Sequence, residues 1–99
     1  MGKPPSTFLS IIMVCVYYTY ILWSSAKRRF YIGSSSDLRK RLIEHNRGGN
    51  ASTKYGTPWI VLYYEAYRVK SLAQEKERVL KKRGKAWQSL RKRINLDST

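Results

Sequence analysis

The chain has 99 residues, 42% hydrophobic and 13% aromatic, enough for one modest core and too few for a second domain with its own pocket. Twenty Lys and Arg against six Asp and Glu give a formal net charge of +14. Such an excess repels itself in the folded state and serves no neutral metabolite. A polyanion that releases counterions when neutralised is the simplest partner for it.

Cys15 is the single cysteine and His45 the single histidine, so a disulfide framework and a four-ligand zinc site are excluded, and a reducing, cytoplasmic setting is expected. Residues 1–16 read as an extension partly outside the fold. The apolar run from Phe8 to Trp23 is short for a membrane span and carries Tyr17, Tyr18, Thr19 and Tyr20. No stable membrane association is expected.

The second half of that run alternates as a strand over residues 17–23. A polar, basic connection over 24–29 leads to a short second strand over 30–33, stopped by Gly33. Ser34, Ser35 and Ser36 form a loop, with Ser36 the natural cap of a helix and Asp37 in its first turn. That helix ends near Arg47 at Gly48-Gly49. Residues 50–58 are a polar loop. The longest strand signal spans 59–67, followed by a helix over 70–83, an interruption at Gly84 and a last helix over 85–94. The order ββαβαα describes an α+β domain, a three-stranded antiparallel sheet flanked by helices, over residues 17–95 with a tail at 96–99.

Strand residues two apart share a face, so Tyr18, Tyr20 and Leu22 point together, and Tyr31 joins them if the hairpin register permits. At 100° per residue, Arg41 and His45 fall on the side of Leu38 and Leu42, while Arg39, Lys40 and Arg47 point away. A guanidinium facing the sheet needs an anionic or hydrogen-bonding partner. A bound phosphate is one candidate; a salt bridge to Glu65 or Glu77 is the other. His45 is either a polar residue at the helix edge or part of a site. The six scattered carboxylates exclude a two-metal cluster and support one hydrated divalent ion on one carboxylate. Periodicity does not choose between Glu75 and Glu77, which flank the apolar stripe of Leu72, Ala73, Val79 and Leu80. Lys81, Lys82, Arg83 and Lys85, with Arg39 and Lys40, are candidates for tracking a nucleic-acid backbone, with Trp87 in the core.

Taken together, these residues resemble the GIY-YIG endonucleases, in particular the small stand-alone, single-domain branch related to the nuclease domain of the excinucleases. Tyr18-Thr19-Tyr20 stands at the first motif and Tyr31-Ile32-Gly33 is identical to the second. The run Ser36-Asp37-Leu38-Arg39-Lys40-Arg41-Leu42, then Glu44-His45-Asn46, corresponds to the following helix. Pro58-Trp59 with Leu62-Tyr63-Tyr64-Glu65 corresponds to the third strand, and Ala73, Glu77 and Leu80-Lys81 to the helix bearing the metal-binding glutamate.

The resemblance covers roughly residues 17 to 94. It implies that Tyr20 and Tyr31 lie beside the scissile phosphate, one of them acting as or orienting the base. It further implies that Arg41 stabilises phosphate charge and that Glu77 ligates a single Mg²⁺ or Mn²⁺. Tyr18, Gly33, Ser34, His45 and Lys54 are candidates for lining the site, with Asn46 and Thr53 beside them. The chain departs from the pattern at Tyr18-Thr19, which replaces Gly-Ile, and at Ser34, where several members have lysine. The expected activity is metal-dependent hydrolysis of phosphodiester bonds in DNA (ahead of RNA), structure-directed or weakly specific, in repair or recombination. The alternatives are a non-catalytic nucleic-acid-binding module on the same scaffold and, more distantly, a basic membrane-surface protein.

Overall fold

A computed structural model describes residues 16–94 of the chain. The expected extension (all but Val16), Cys15 and the tail lie outside the described residues. The elements are β1 (Tyr17–Ser24), β2 (Arg29–Ser35), α1 (Leu38–Asn46), β3 (Trp59–Tyr67), α2 (Lys70–Lys81) and α3 (Lys85–Arg93). The strands form one antiparallel sheet in the order β2-β1-β3, so β1 is central and α1 carries the chain over it from one edge to the other. This is the α+β architecture expected from the sequence.

Each face of the sheet is covered separately. Tyr20, Leu22 and Trp59 pack with Tyr31, Leu38, Leu42 and Val61 under α1. Ile21 and Ile32 pack with Leu80, Trp87 and Leu90 under α2 and α3. The alternation of β1 thus feeds two cores at once. Strand β3 breaks strict alternation through a register shift opposite Ile21 and Leu22. The extra residue lets Leu62 and Tyr63 both reach the α2–α3 core, while Val61 serves the α1 side. Thr19 secures α2 to the sheet by donating its hydroxyl to the Ala73 carbonyl at 2.7 Å.

Several boundaries differ from expectation. Strand β2 continues through Ser34 and Ser35 because Thr19 and Tyr18 pair with them. The cap of α1 is Asp37, whose carboxylate accepts from the Lys40 amide at 3.0 Å, and not Ser36. Gly48, at φ +80°, closes that helix. Helix α2 ends at Lys81, two residues early, because Arg83 turns to φ 56° ahead of Gly84. Leu72, placed in the apolar stripe by periodicity, is instead 53% exposed.

Candidate active site

The site forms where the edge strand β2 runs between α1 and α2. Register decides the first contact: Leu22 pairs with Tyr31 and Tyr20 with Gly33, so both phenols stand on the α1 face. Their ring centroids are 6.4 Å apart. Gly33 makes this possible, because a Cβ there would lie 2.6 Å from the Tyr20 hydroxyl and 2.7 Å from its Cζ. The glycine is needed for close approach, since the Tyr20 ring lies across its backbone.

The Tyr20 side chain is enclosed, at 1% exposure. Its hydroxyl lies 3.0 Å from His45 Nε2, and His45 Nδ1 lies 2.8 Å from Thr53 Oγ1. Thr53 in turn donates to the Asn50 carbonyl at 3.3 Å. Having used its proton there, Thr53 accepts from Nδ1–H, which leaves Nε2 as an acceptor and makes Tyr20 the donor. Burial, then the Arg41 charge, holds His45 below the usual imidazole range, consistent with this neutral tautomer. Burial, followed by Tyr31, pushes the Tyr20 phenol well above its ordinary value; Arg41 opposes the shift and Glu77 adds to it. Tyr31, Arg41 and Glu77, from three different elements, all act on this one hydroxyl.

Tyr31 is half-buried, with its ring 4.8 Å from that of His45. On the α2 side, the Ser34 hydroxyl donates to Glu77 Oε1 at 2.6 Å. Lys81 reaches Glu77 Oε2, also at 2.6 Å, and its ammonium stands 6.0 Å from the centre of the Tyr31 ring. The α2 groups therefore meet the α1-face groups around the edge of β2. A cleft of about 540 Å³ opens beside them, lined by Ser34, Asp37, Lys40, Arg41, Glu44 and Gln74 among others.

Arg41 differs from the sequence expectation. Its side chain is 39% exposed, and its partner is Glu44 at 2.9 Å, neither Glu65 nor Glu77. That ion pair is the main reason its pKa is raised. The periodicity argument put Arg41 on the sheet side, but a guanidinium three carbons from its backbone reaches the rim. Glu65 is occupied elsewhere, accepting from the Tyr63 and Tyr67 hydroxyls with Lys76 and Arg93 nearby. Glu75 pairs with Arg78 on an exposed flank.

The structure brings Tyr20, Tyr31, Gly33, Ser34, His45, Glu77 and Arg41 to one place. Tyr18 lies further along the α1 face, edge-on to Tyr64 at 5.6 Å. Lys54 stands apart, its ammonium over the Tyr55 ring at 5.0 Å. Asn46 clamps the start of β3, accepting from the Trp59 amide at 2.6 Å and donating to its carbonyl at 3.1 Å. Among the basic candidates Arg39, Lys40, Lys82 and Lys85 are exposed, and Arg83 stacks on Trp87 at 4.5 Å. Sequence reasoning missed Glu44 and the central position of Lys81. The i,i+3 spacing of Arg41 and Glu44 and the i,i+4 spacing of Glu77 and Lys81 were the available signals.

A family model described as the GIY-YIG catalytic domain matches residues 16–95. The chain belongs to the GIY-YIG family. It is 42% identical over 67 residues to UPF0213 proteins of Streptococcus pyogenes serotype M5 (strain Manfredo) and serotype M2 (strain MGAS10270), covering 67% of this chain and 72% of each relative. A third relative, from serotype M3 (strain ATCC BAA-595 / MGAS315), is 40% identical over the same length and shares. No solved structure matches. GIY-YIG membership carries a nuclease-type function, nucleic acid as its partner and a general use of divalent metal. Among the described residues there is no group of three or more His, Cys, Asp or Glu to hold an ion, and no helix long and apolar enough to cross a membrane. The Glu77 carboxylate, oriented by Ser34 and paired with Lys81, fits one hydrated hard cation in place of that ammonium and not a pair of ions.

Proposed function

We propose that the protein is a metal-dependent endonuclease that hydrolyses phosphodiester bonds in DNA with weak sequence preference. The observation that carries this reading is the meeting of two phenols, a guanidinium and a carboxylate around one strand edge. Beside them is a cleft open enough for a sugar-phosphate backbone.

The two phenols have unequal parts. Tyr31 is half-buried and presents its oxygen to the attacking water, with the Lys81 ammonium 6.0 Å from the centre of its ring. Tyr20, tied through its proton to His45 and Thr53, positions the imidazole and its neighbours. Tyr31 takes the water's proton as its own passes to solvent, and the water oxygen bonds to phosphorus. The bond to the leaving oxygen breaks, and that oxygen takes a proton from solvent. Arg41 lets go of Glu44 to meet the pentavalent phosphate, whose added charge it stabilises. Glu77, oriented by Ser34 and released by Lys81, would hold a Mg²⁺ or Mn²⁺ ion that supplies Lewis acidity.

The test is cleavage of end-labelled DNA as duplex, flap, branched and single-stranded forms, with Mg²⁺ or Mn²⁺ and with EDTA. Metal-dependent products from the wild type, lost in Glu77→Ala and kept in Glu75→Ala, are expected. Equal background cleavage by wild type and Glu77→Ala, with DNA binding intact in both, would instead favour a binding module.

A further inference from the structure

Two neighbouring hollows of about 550 Å³ and 390 Å³, neither of them lined by Arg41, share Arg29, Ser52 and Trp59 as walls and together form a trough. Tyr31 opens into the first and Tyr55 into the second. Among the described residues, Lys27, Arg28, Arg29 and Arg83 line this trough and no carboxylate does. The cleft beside Arg41, by contrast, is lined by Asp37 and Glu44 as well as cations. The two approaches to the site therefore differ in charge.

Tyr55 is 73% exposed, so its ring contributes little to the core. The loop beneath it is nonetheless firmly held. The Trp59 indole donates to the Thr53 carbonyl at 2.7 Å, and the amides of Thr53 and Gly56 close successive turns at 3.0 Å. Lys54 lies over one face of the ring and leaves the other for a planar partner.

We propose that this trough binds a single-stranded nucleic-acid segment leaving the site, its phosphates against Lys27, Arg28, Arg29 and Arg83 and an unpaired base stacked on Tyr55. A flat aromatic face accepts any base, whereas base pairs inside a duplex offer no free face to it. The trough thus selects substrates that are unpaired on one side of the cut and supplies no sequence readout. The inference extends the nuclease reading and rests on it only for the position of the cut.

The experiment measures binding in EDTA, so it does not depend on turnover. Fluorescein-labelled thymidine 12-mers, abasic 12-mers of equal charge and a blunt hairpin duplex are titrated with the wild type, Tyr55→Ala, Tyr55→Phe and Arg29→Gln. Tyr55→Ala is expected to weaken the thymidine oligomer roughly tenfold while leaving the abasic oligomer and the hairpin unchanged. Tyr55→Phe keeps wild-type affinity, and Arg29→Gln weakens both oligomers. Tyr55→Ala binding all three ligands as the wild type does, or losing all three equally, overturns the proposal. Failure of cleavage with this binding pattern intact would sink the nuclease reading and leave the trough standing.

Discussion

The Ser34 hydroxyl donates to Glu77 Oε1 at 2.6 Å and so joins the edge strand to the helix behind it. The contact orients one carboxylate oxygen while Lys81 pairs with the other at 2.6 Å, and on the proposed function a bound cation takes the place of that ammonium. Ser34→Ala leaves the fold intact but removes one of the two contacts that orient Glu77. We expect a roughly 10- to 100-fold rise in the metal concentration needed for half-maximal activity. Metal titration of cleavage beside a denaturation curve checks this. Unchanged metal dependence would remove Ser34 from the site.

Gly33→Ala places a methyl 2.6 Å from the Tyr20 hydroxyl, and Tyr20 is locked between the sheet and His45. Overpacking of this kind costs about 1–3 kcal/mol. Urea denaturation is expected to show that loss together with a fall in cleavage, because the displaced ring is part of the site. Full stability would mean that Tyr20 has room to move.

Stability should depend on pH through His45. Burial and Arg41 lower its pKa from the ordinary 6.5, so the unfolded chain binds the proton more readily than the folded one. The contribution is complete above 6.5 and is lost as pH falls below it toward the folded value. His45→Gln is expected to flatten the denaturation midpoint between about pH 7 and pH 5. A variant as acid-sensitive as the wild type would place the titration elsewhere.

Arg41 is held by Glu44 at 2.9 Å, and on the proposed function a phosphate competes for it. Glu44→Gln is expected to strengthen DNA binding several-fold by releasing the guanidinium. Arg41→Gln should cut kcat by about 100-fold or more, and Arg41→Lys should rescue little of it, because a point charge lacks the planar fork. Steady-state kinetics separate the two effects. A kcat unchanged in Arg41→Gln would assign the residue to structure.

The strands and helices are legible in the sequence because their signals are local. Alternation in residues 17–23, the β-branched and aromatic run over 59–67 and glycines at 48 and 84 report on backbone preference within a few positions. Ser34 and Ser35 look like loop residues, because their strand state depends on Tyr18 and Thr19 across the hairpin. Asp37 takes the cap expected of Ser36, although either side chain has the chemistry for it.

The sequence by itself determined the chemical inventory: a strongly cationic small domain with two motif tyrosines, one histidine and too few acids for a paired metal centre. Only tertiary structure decided which groups share a site. Glu77 and the phenols sit over opposite faces of the sheet and meet around its edge, a relation set by strand order and hairpin register. Those depend on side chains packing between segments far apart in the chain, which no local pattern records.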